Sequence, residues 1–194
     1  MRHVLFAGTE LRTLPGLVMT PRPATEAVVE TALARIGDGP ARVADVGTGS
    51  GAIAIAIARE SEAEVWATDT CAWSVVLARL NAADAGVDER VHVLEGDLLA
   101  PVPRDLDLVV ANLPYLPYAD RALYPDLVRE PPAAVFAEGD GLDPYRRLLT
   151  QAELRLRADG AVIFQLHREV YVAERNELGA MHERLDELTP ALAA

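Results

Sequence analysis

No stretch constrains the fold of this chain more than Asp45-Val46-Gly47-Thr48-Gly49-Ser50-Gly51-Ala52-Ile53-Ala54-Ile55-Ala56-Ile57-Ala58. A mostly apolar run, Arg42 to Val46, stops at three glycines spaced by two, and a pattern of alanine and isoleucine with helical character follows. The reading is strand, tight turn, helix. Glycine supplies positive φ, and without a Cβ it lets a ligand lie close to the backbone. The amides that open the helix then face that ligand, and their partial positive charge suits a carboxylate or a phosphate. A triphosphate-binding loop of the P-loop type needs a lysine after its second glycine, and the chain contains no lysine. The same residues also fit the dinucleotide fingerprint as Gly47, Gly49 and Ala52, so the loop leaves the cofactor open.

The next strand, Glu64 to Thr68, ends in Asp69, about 20 residues beyond the first glycine, where a carboxylate accepts both hydroxyls of a ribose. The bland alternative is a cap for the helix beginning near Ala72, a role that Thr70 can fill instead. Two further strands end in polar residues: Arg90 to Leu94 before Glu95-Gly96-Asp97-Leu98, and Leu106 to Ala111 before Asn112-Leu113-Pro114-Tyr115. This alternation of strands and helices predicts an α/β fold, a doubly wound and mostly parallel sheet with helices on both faces. Ligands of such sheets bind beyond the carboxyl ends of the strands. Gly47, Asp69, Asp97 and Asn112 are therefore expected on one rim. Each alone is an ordinary turn residue; their convergence carries the argument.

Around this core, Val4 to Val18, broken by Gly8, Pro15 and Gly16, reads as a β-hairpin or lid. Ala24 to Ile36 reads as a helix with Val28, Val29, Ala32, Leu33 and Ile36 on one face, ended by Gly37. Further helices are expected over Ser50 to Arg59, over Ala72 to Ala85 with a core stripe of Trp73, Val76, Leu77, Leu80 and Ala83, and over Pro144 to Arg157. Ala161 to Leu166 reads as a fifth core strand. Leu116 to Asp140 is a long loop, and loops of that length inside a compact domain are usually functional.

The 194 residues, 51% of them hydrophobic, suffice for one domain with a substantial core. The division expected within 1–194 is a lid or hairpin in 1–20, a helix in 21–40, a cofactor-binding core in 41–166 and a helical segment in 167–194. A net charge of −12, from 18 basic and 30 acidic residues, counts against a nucleic-acid partner, which needs basic residues to neutralise phosphates. A protein or a small molecule is the expected partner. The lone Cys71 can form neither an intramolecular disulfide nor a cysteine-rich zinc site. His3, His92, His167 and His182 lack ligand spacing, so no metal is expected. With no apolar run long enough for a membrane span and no secretory signal, a cytoplasmic location is expected.

The glycine motif and Asn112-Leu113-Pro114-Tyr115 together resemble the class I S-adenosylmethionine-dependent methyltransferases, and specifically the release-factor glutamine methyltransferases of the PrmC/HemK group. Thr20-Pro21-Arg22-Pro23-Ala24-Thr25-Glu26, Val128-Arg129-Glu130-Pro131-Pro132-Ala133 and Glu138-Gly139-Asp140-Gly141-Leu142-Asp143-Pro144-Tyr145-Arg146-Arg147 extend the resemblance, which runs from residue 4 to residue 166. It implies S-adenosylmethionine as cofactor, held by Asp45, Gly47, Thr48, Gly49, Gly51, Asp69, Asp97, Leu98 and Asn112. Asp97 would take the adenine amine, with Leu98 packing where the family often has an aromatic. It further implies Asn112, Pro114 and Tyr115 as catalytic residues, and Arg22, Asn112, Leu113, Pro114 and Tyr115 at the substrate. The N-terminal segment lies over the active site in that family. The family also has helices upstream that hold its protein substrate, and the expectation from this sequence is that they are lacking. The sheet of this class normally closes with two more strands, but Arg168 to Leu188 is rich in Glu and Arg, lacks alternation and reads as helix. The C-terminal β-hairpin is thus expected to be absent, with a bare edge strand that a homodimer would cover.

Methyl transfer from a sulfonium needs no metal and no covalent intermediate, only a nucleophile, methyl and sulfur held in line. The nitrogen of an amide or aryl amine is a poor nucleophile, and two acceptors, the Asn112 oxygen and the Leu113 or Pro114 carbonyl, would bond its N–H groups while Tyr115 stacks on the flat acceptor. The expected function is N-methylation of a planar amino nitrogen, first a glutamine side-chain amide of a peptide-chain release factor. A small metabolite and an adenine in nucleic acid are the alternatives, because the family usually has proline at Leu113, and Leu-Pro-Tyr after asparagine also resembles the ribosomal-RNA adenine dimethyltransferases. An NAD-dependent oxidoreductase and a non-catalytic S-adenosylmethionine-binding scaffold are the readings from other classes.

Overall fold

The computed structural model describes residues 1–127, 129–167 and 169–192; Val128, Arg168 and the last two residues, which fall in motifs or segments read above, lie outside them. The chain opens with an antiparallel hairpin of β1 (Arg2–Phe6) and β2 (Thr9–Thr13). A short 3-10 turn then leads into α1 (Glu26–Ile36), which stops where Gly37 takes φ 65° and donates its N–H to Leu33 O at 3.1 Å. The core follows as β3 (Arg42–Val46), α2 (Ala52–Glu60), β4 (Glu64–Asp69), α3 (Ala72–Asp84), β5 (Val91–Glu95) and β6 (Leu106–Ala111). A long excursion carries two short strands, β7 (Leu116–Pro117) and β8 (Phe136–Ala137), before α4 (Asp143–Glu153), β9 (Leu156–Leu166), β10 (Glu169–Glu174) and α5 (Leu178–Leu192).

The central sheet has the order β10-β9-β6-β3-β4-β5, parallel except for β10. Strands β3 and β6 are buried nearly throughout because helices cover both faces, as expected of central parallel strands. From β3 the chain first moves outward through β4 and β5, then returns to place β6 on the opposite side of β3. The direction of winding therefore reverses between β3 and β6, and that reversal opens a crevice at their carboxyl ends. Register finishes the job: Val46 pairs with both Thr68 and Ala111, and Asp69 with Glu95, so four strand ends lie abreast.

Helix α2 is buried on every side, since α1, α3, the sheet and the β1–β2 hairpin enclose it. The hairpin contributes Phe6 and Leu11 to that cluster and thus lies against the helices. The part of the N-terminal segment that reaches the crevice is the turn at Leu17, Val18 and Met19.

Two expectations fail. The core stripe of α3 is rotated: Ser74, Val75, Leu77, Ala78, Asn81 and Ala82 are buried, whereas Trp73, Val76 and Leu80 are 55%, 49% and 41% exposed and Ala83 is also exposed. Two contacts turn the helix. Buried Asn81 accepts the N–H of Arg12 at 2.9 Å and donates to Ser50 O at 2.8 Å, and small Ala78 faces Gly51, where a Cβ would come within 3.2 Å of its own. Large residues on that side would push the helix off the glycine loop. The second failure is at the C-terminus, where residues 169–174, read as helix, form one strand antiparallel to β9, so the described sheet gains one of the two further strands usual for the class and not both. Only Tyr171 and Ala173 are buried on β10, too short an alternation to stand out between glutamates, yet the Tyr171 ring stacks on Phe164 at 5.4 Å. β10 covers the edge of β9 that the sequence left bare, and helix occupies only the end of the segment, from Leu178. Among the described residues no helix is long and apolar enough to cross a membrane.

Candidate active site

All three glycines of the loop after β3 adopt positive φ, 72° at Gly47, 57° at Gly49 and 85° at Gly51. The loop is hung from β4, with Gly47 and Thr48 each donating a backbone N–H to Thr68 O at 2.9 Å. Asp69 ties it further, its Oδ2 accepting Gly49 N–H at 2.9 Å and its Oδ1 accepting Cys71 N–H at 2.8 Å. Each carboxylate oxygen retains a lone pair for another donor.

Asp45 sits deeper than the resemblance implies. It is fully buried, lines none of the cavities, and uses Oδ2 to accept the Thr48 hydroxyl at 2.6 Å and Ala54 N–H at 3.1 Å. The carboxylate thus acts on the loop and on the start of α2, and its Oδ1 has no partner. Burial pushes its pKa up to about 6 from an ordinary 3.8. A folded-state value above the unfolded one means that this carboxyl favours the fold at low pH and loses that contribution as pH rises through 6. The stability of the native protein relative to Asp45→Asn, measured by urea unfolding, is therefore expected to grow between pH 7 and pH 4, by about 3 kcal/mol at most. A difference independent of pH would show that Asp45 titrates normally.

Two cavities meet over the crevice. The first, of about 270 Å³, is lined by Gly47, Gly49, Asp69, Asp97, Leu98 and Asn112. The turn at Leu17 to Met19 also lines it. Leu98 enters with φ 49°, its carbonyl accepting the buried Thr68 hydroxyl at 2.9 Å. Asp97 is half exposed and ion-paired with Arg147 of α4, a residue the sequence did not single out. Gly51 lines no cavity; its role is the close approach to Ala78 described above. Thr48 is mostly buried, touching only a small cleft of about 60 Å³ beside the loop.

The second cavity, of about 600 Å³, is lined by Arg22, Leu113, Tyr115, Gln165 and His167 and walled by the chain from Leu116 to Leu127. Asn112, Leu113 and Pro114 belong to both cavities, so the turn after β6 is their junction. The Asn112 Nδ2 donates to Thr25 Oγ1 at 3.0 Å. Leu113 is buried, packed where a Cβ on Gly47 would come within 2.6 Å of its Cδ2. Behind it, the Tyr145 hydroxyl accepts Leu113 N–H at 2.9 Å and lies 3.0 Å from Leu113 O and 2.7 Å from Gln165 O. That hydroxyl is completely buried, which raises its pKa well above the ordinary tyrosine value and keeps the donor in place. Tyr115 lies against the His167 ring, centroids 5.0 Å apart; burial raises the pKa of the phenol and lowers that of the imidazole.

The wall has its own small core of Leu116, Val135 and Phe136, with β7 paired to β8 and Tyr118 and Tyr124 against the Phe136 ring. Arg22 and Thr20 reach it through Glu130, at 3.7 Å and 3.2 Å. Gly141 closes the other side: its φ is 87°, and a Cβ there would lie 2.1 Å from Tyr115 O. Backbone cannot move aside cheaply, so Gly141→Ala is expected to destabilise by about 2 kcal/mol or more and to displace Tyr115. Thermal unfolding checks the first and loss of the Tyr115–His167 ring contact in a structure of the variant checks the second. An unchanged melting temperature would contradict this packing.

Thr25, Tyr145, Gln165 and Arg147 were all missed as individual site residues. Thr25, Tyr145 and Arg147 sit inside motifs already noted, but only the folded chain shows what their side chains touch.

A family model described as ribosomal protein L11 methyltransferase (PrmA) matches residues 22–123. The release factor glutamine methyltransferase of Deinococcus radiodurans is 43% identical over 84% of this chain and 59% of its own length. That of Moorella thermoacetica is 40% identical over the same shares. The chain thus spans about three fifths of the length of these curated relatives. Among solved structures, the ribosomal protein L11 methylase of Lactobacillus delbrueckii subsp. bulgaricus superposes with a TM-score of 0.55 at 29% identity, over 74% of this chain and 60% of that one. A 16S rRNA methyltransferase of T. Thermophilus in complex with AdoMet and guanosine gives 0.61 at 20% identity, over 84% of this chain and 40% of that one, a likeness of fold alone. Because the model match takes in more than half of the residues and the sheet is of the matching type, the chain belongs to the PrmA family of class I methyltransferases, and in sequence it is similar to the release factor glutamine methyltransferases.

Proposed function

We propose that this protein is an S-adenosylmethionine-dependent N-methyltransferase acting on a glutamine side-chain amide of a protein substrate, a peptide-chain release factor as in the relatives it resembles. The observation that carries the proposal is the junction of two cavities at Asn112, Leu113 and Pro114, because a transfer reaction needs donor and acceptor to meet at one point. The smaller cavity fits the cofactor: glycines leave the loop without side chains, Asp69 offers two acceptors at the ribose, and Leu98 gives an apolar wall on the adenine side. When bound, S-adenosylmethionine supplies a methyl group on a sulfonium.

The protein's own part is positioning. With its Nδ2 committed to Thr25, Asn112 has its Oδ1 left to accept an N–H of the acceptor amide. Leu113 O lies beside the Tyr145 hydroxyl, so the second acceptor is the Pro114 carbonyl. Two acceptors on one NH₂ group hold its nitrogen in place and favour the positive charge that develops there. Tyr115 and His167 flank the flat group. A net charge of −12 opposes a phosphate backbone and is compatible with a protein acceptor.

The test offers a purified release factor, a Gly-Gly-Gln peptide, total RNA and DNA with labelled S-adenosylmethionine at low salt. Label on a glutamine is the expected result, and label in RNA or DNA with none in protein would overturn it.

A further inference from the structure

Thr25 ends the 3-10 turn Pro23–Thr25 that leads into α1 and has helical φ −81° and ψ −12°, so the ordinary threonine cap, a hydroxyl accepting a backbone N–H of the first turn, is not set up there. The hydroxyl makes no such bond. Its oxygen instead accepts the Asn112 side-chain amide, 87 positions away in sequence. The residue is buried, and the segment carrying it is pinned from the far side: Gln165 Nε2 donates to Ala24 O at 3.2 Å and to His167 O at 3.1 Å. On the other flank of Asn112 the Tyr145 hydroxyl fixes Leu113 N–H. Asn112 is thereby held by its side chain from the turn before α1 and by the following backbone from α4.

We propose that Thr25 is a positioning residue that anchors the Asn112 carboxamide by its donor end and leaves its acceptor end for the junction of the cavities. A carboxamide has a donor end and an acceptor end, and rotation by half a turn exchanges them. By engaging the donor end, Thr25 turns the acceptor end toward the junction of the cavities. The site is then complementary to a group that brings N–H bonds, an amide or amino NH₂, and not to a carboxylate or a carbonyl. The catalytic consequence rests on the methyltransferase reading given above; the orientation of Asn112 does not.

The experiment joins a spectroscopic and a kinetic arm. In the native protein, the Asn112 side-chain NH₂ resonance, assigned by its loss in Asn112→Ala, is expected to show one proton protected from exchange. Thr25→Val is expected to abolish the protection and Thr25→Ser to keep it. With a release factor as acceptor, Thr25→Val is expected to lower kcat about ten- to a hundredfold with the KM for S-adenosylmethionine unchanged. Thr25→Ser should restore turnover, and in an Asn112→Ala background Thr25→Val should cost nothing more, because its effect passes through Asn112. An Asn112 resonance indifferent to Thr25→Val would overturn the proposal. So would equal losses in the serine and valine variants, or a full additional loss on top of Asn112→Ala. A native protein that methylates none of the acceptors offered would instead sink the functional reading, and the resonance would still decide the role of Thr25.

Discussion

Asn112→Ala is expected to lower methyl turnover by about two to three decades, the cost typical of removing one preorganised polar group from a reacting centre. The structure explains why the loss should fall on turnover. Asn112 is on the wall shared by the two cavities, with its donor end engaged by Thr25; in the proposed mechanism the substitution removes the acceptor offered to the incoming nitrogen. The proposed cofactor contacts at Gly47, Gly49, Asp69 and Leu98 are left in place by the substitution, and cofactor affinity should change by less than about threefold, below the energy of one hydrogen bond to a charged group. Single-turnover kinetics beside cofactor calorimetry separates the two quantities. Turnover that survives at saturation while cofactor binding collapses would move Asn112 out of the reacting centre.

The opposite division is expected for Asp69→Ala, which should weaken S-adenosylmethionine binding by about one to two decades, as for lost hydrogen bonds to a charged acceptor at about 1.5 to 3 kcal/mol. Two effects add here. In the proposed cofactor site the ribose loses its acceptors, and the glycine loop loses the tie from Gly49 N–H to Oδ2. Asp69→Asn distinguishes them, since an amide oxygen at Oδ2 keeps the loop tie while a donor replaces the other oxygen. If Asp69→Asn binds like the native protein and only Asp69→Ala fails, the loop tie is the larger effect; unchanged affinity in a folded Asp69→Ala would place the ribose elsewhere.

The strands and the rim were legible because local pattern and consequence coincide there. β6 runs from Leu106 to Ala111 as expected, and the other parallel strands begin or end within a residue or two of expectation, apart from β9, which starts five residues early. A buried parallel strand is an uninterrupted apolar run, which flanking polar residues delimit. Helix α3 was harder. Trp73, Val76 and Leu80 form a plausible apolar stripe by spacing, yet the packed face is chosen by Ala78 and Asn81, because a close approach to Gly51 rewards small residues over large ones. Hydrophobic periodicity gives an angle around the helix axis; it does not say which neighbour is near enough to exclude bulk. β10 was missed for a related reason: one buried tyrosine and one buried alanine between glutamates carry too little alternation to be read without the partner strand.

The sequence by itself determined the class of fold and the residues at its rim, since glycines that need positive φ and polar residues that end apolar runs are local facts that hold wherever the chain is placed. Tertiary structure alone decided how those residues are used. Asp45 became a buried brace for the loop, Asp97 acquired Arg147 as a partner, and the donor end of Asn112 was engaged by Thr25. Each of these depends on a hydrogen bond or ion pair between residues of different elements or on the depth at which a carboxylate is buried. Such quantities are set by the packing of helices onto the sheet, so no pattern along the chain records them.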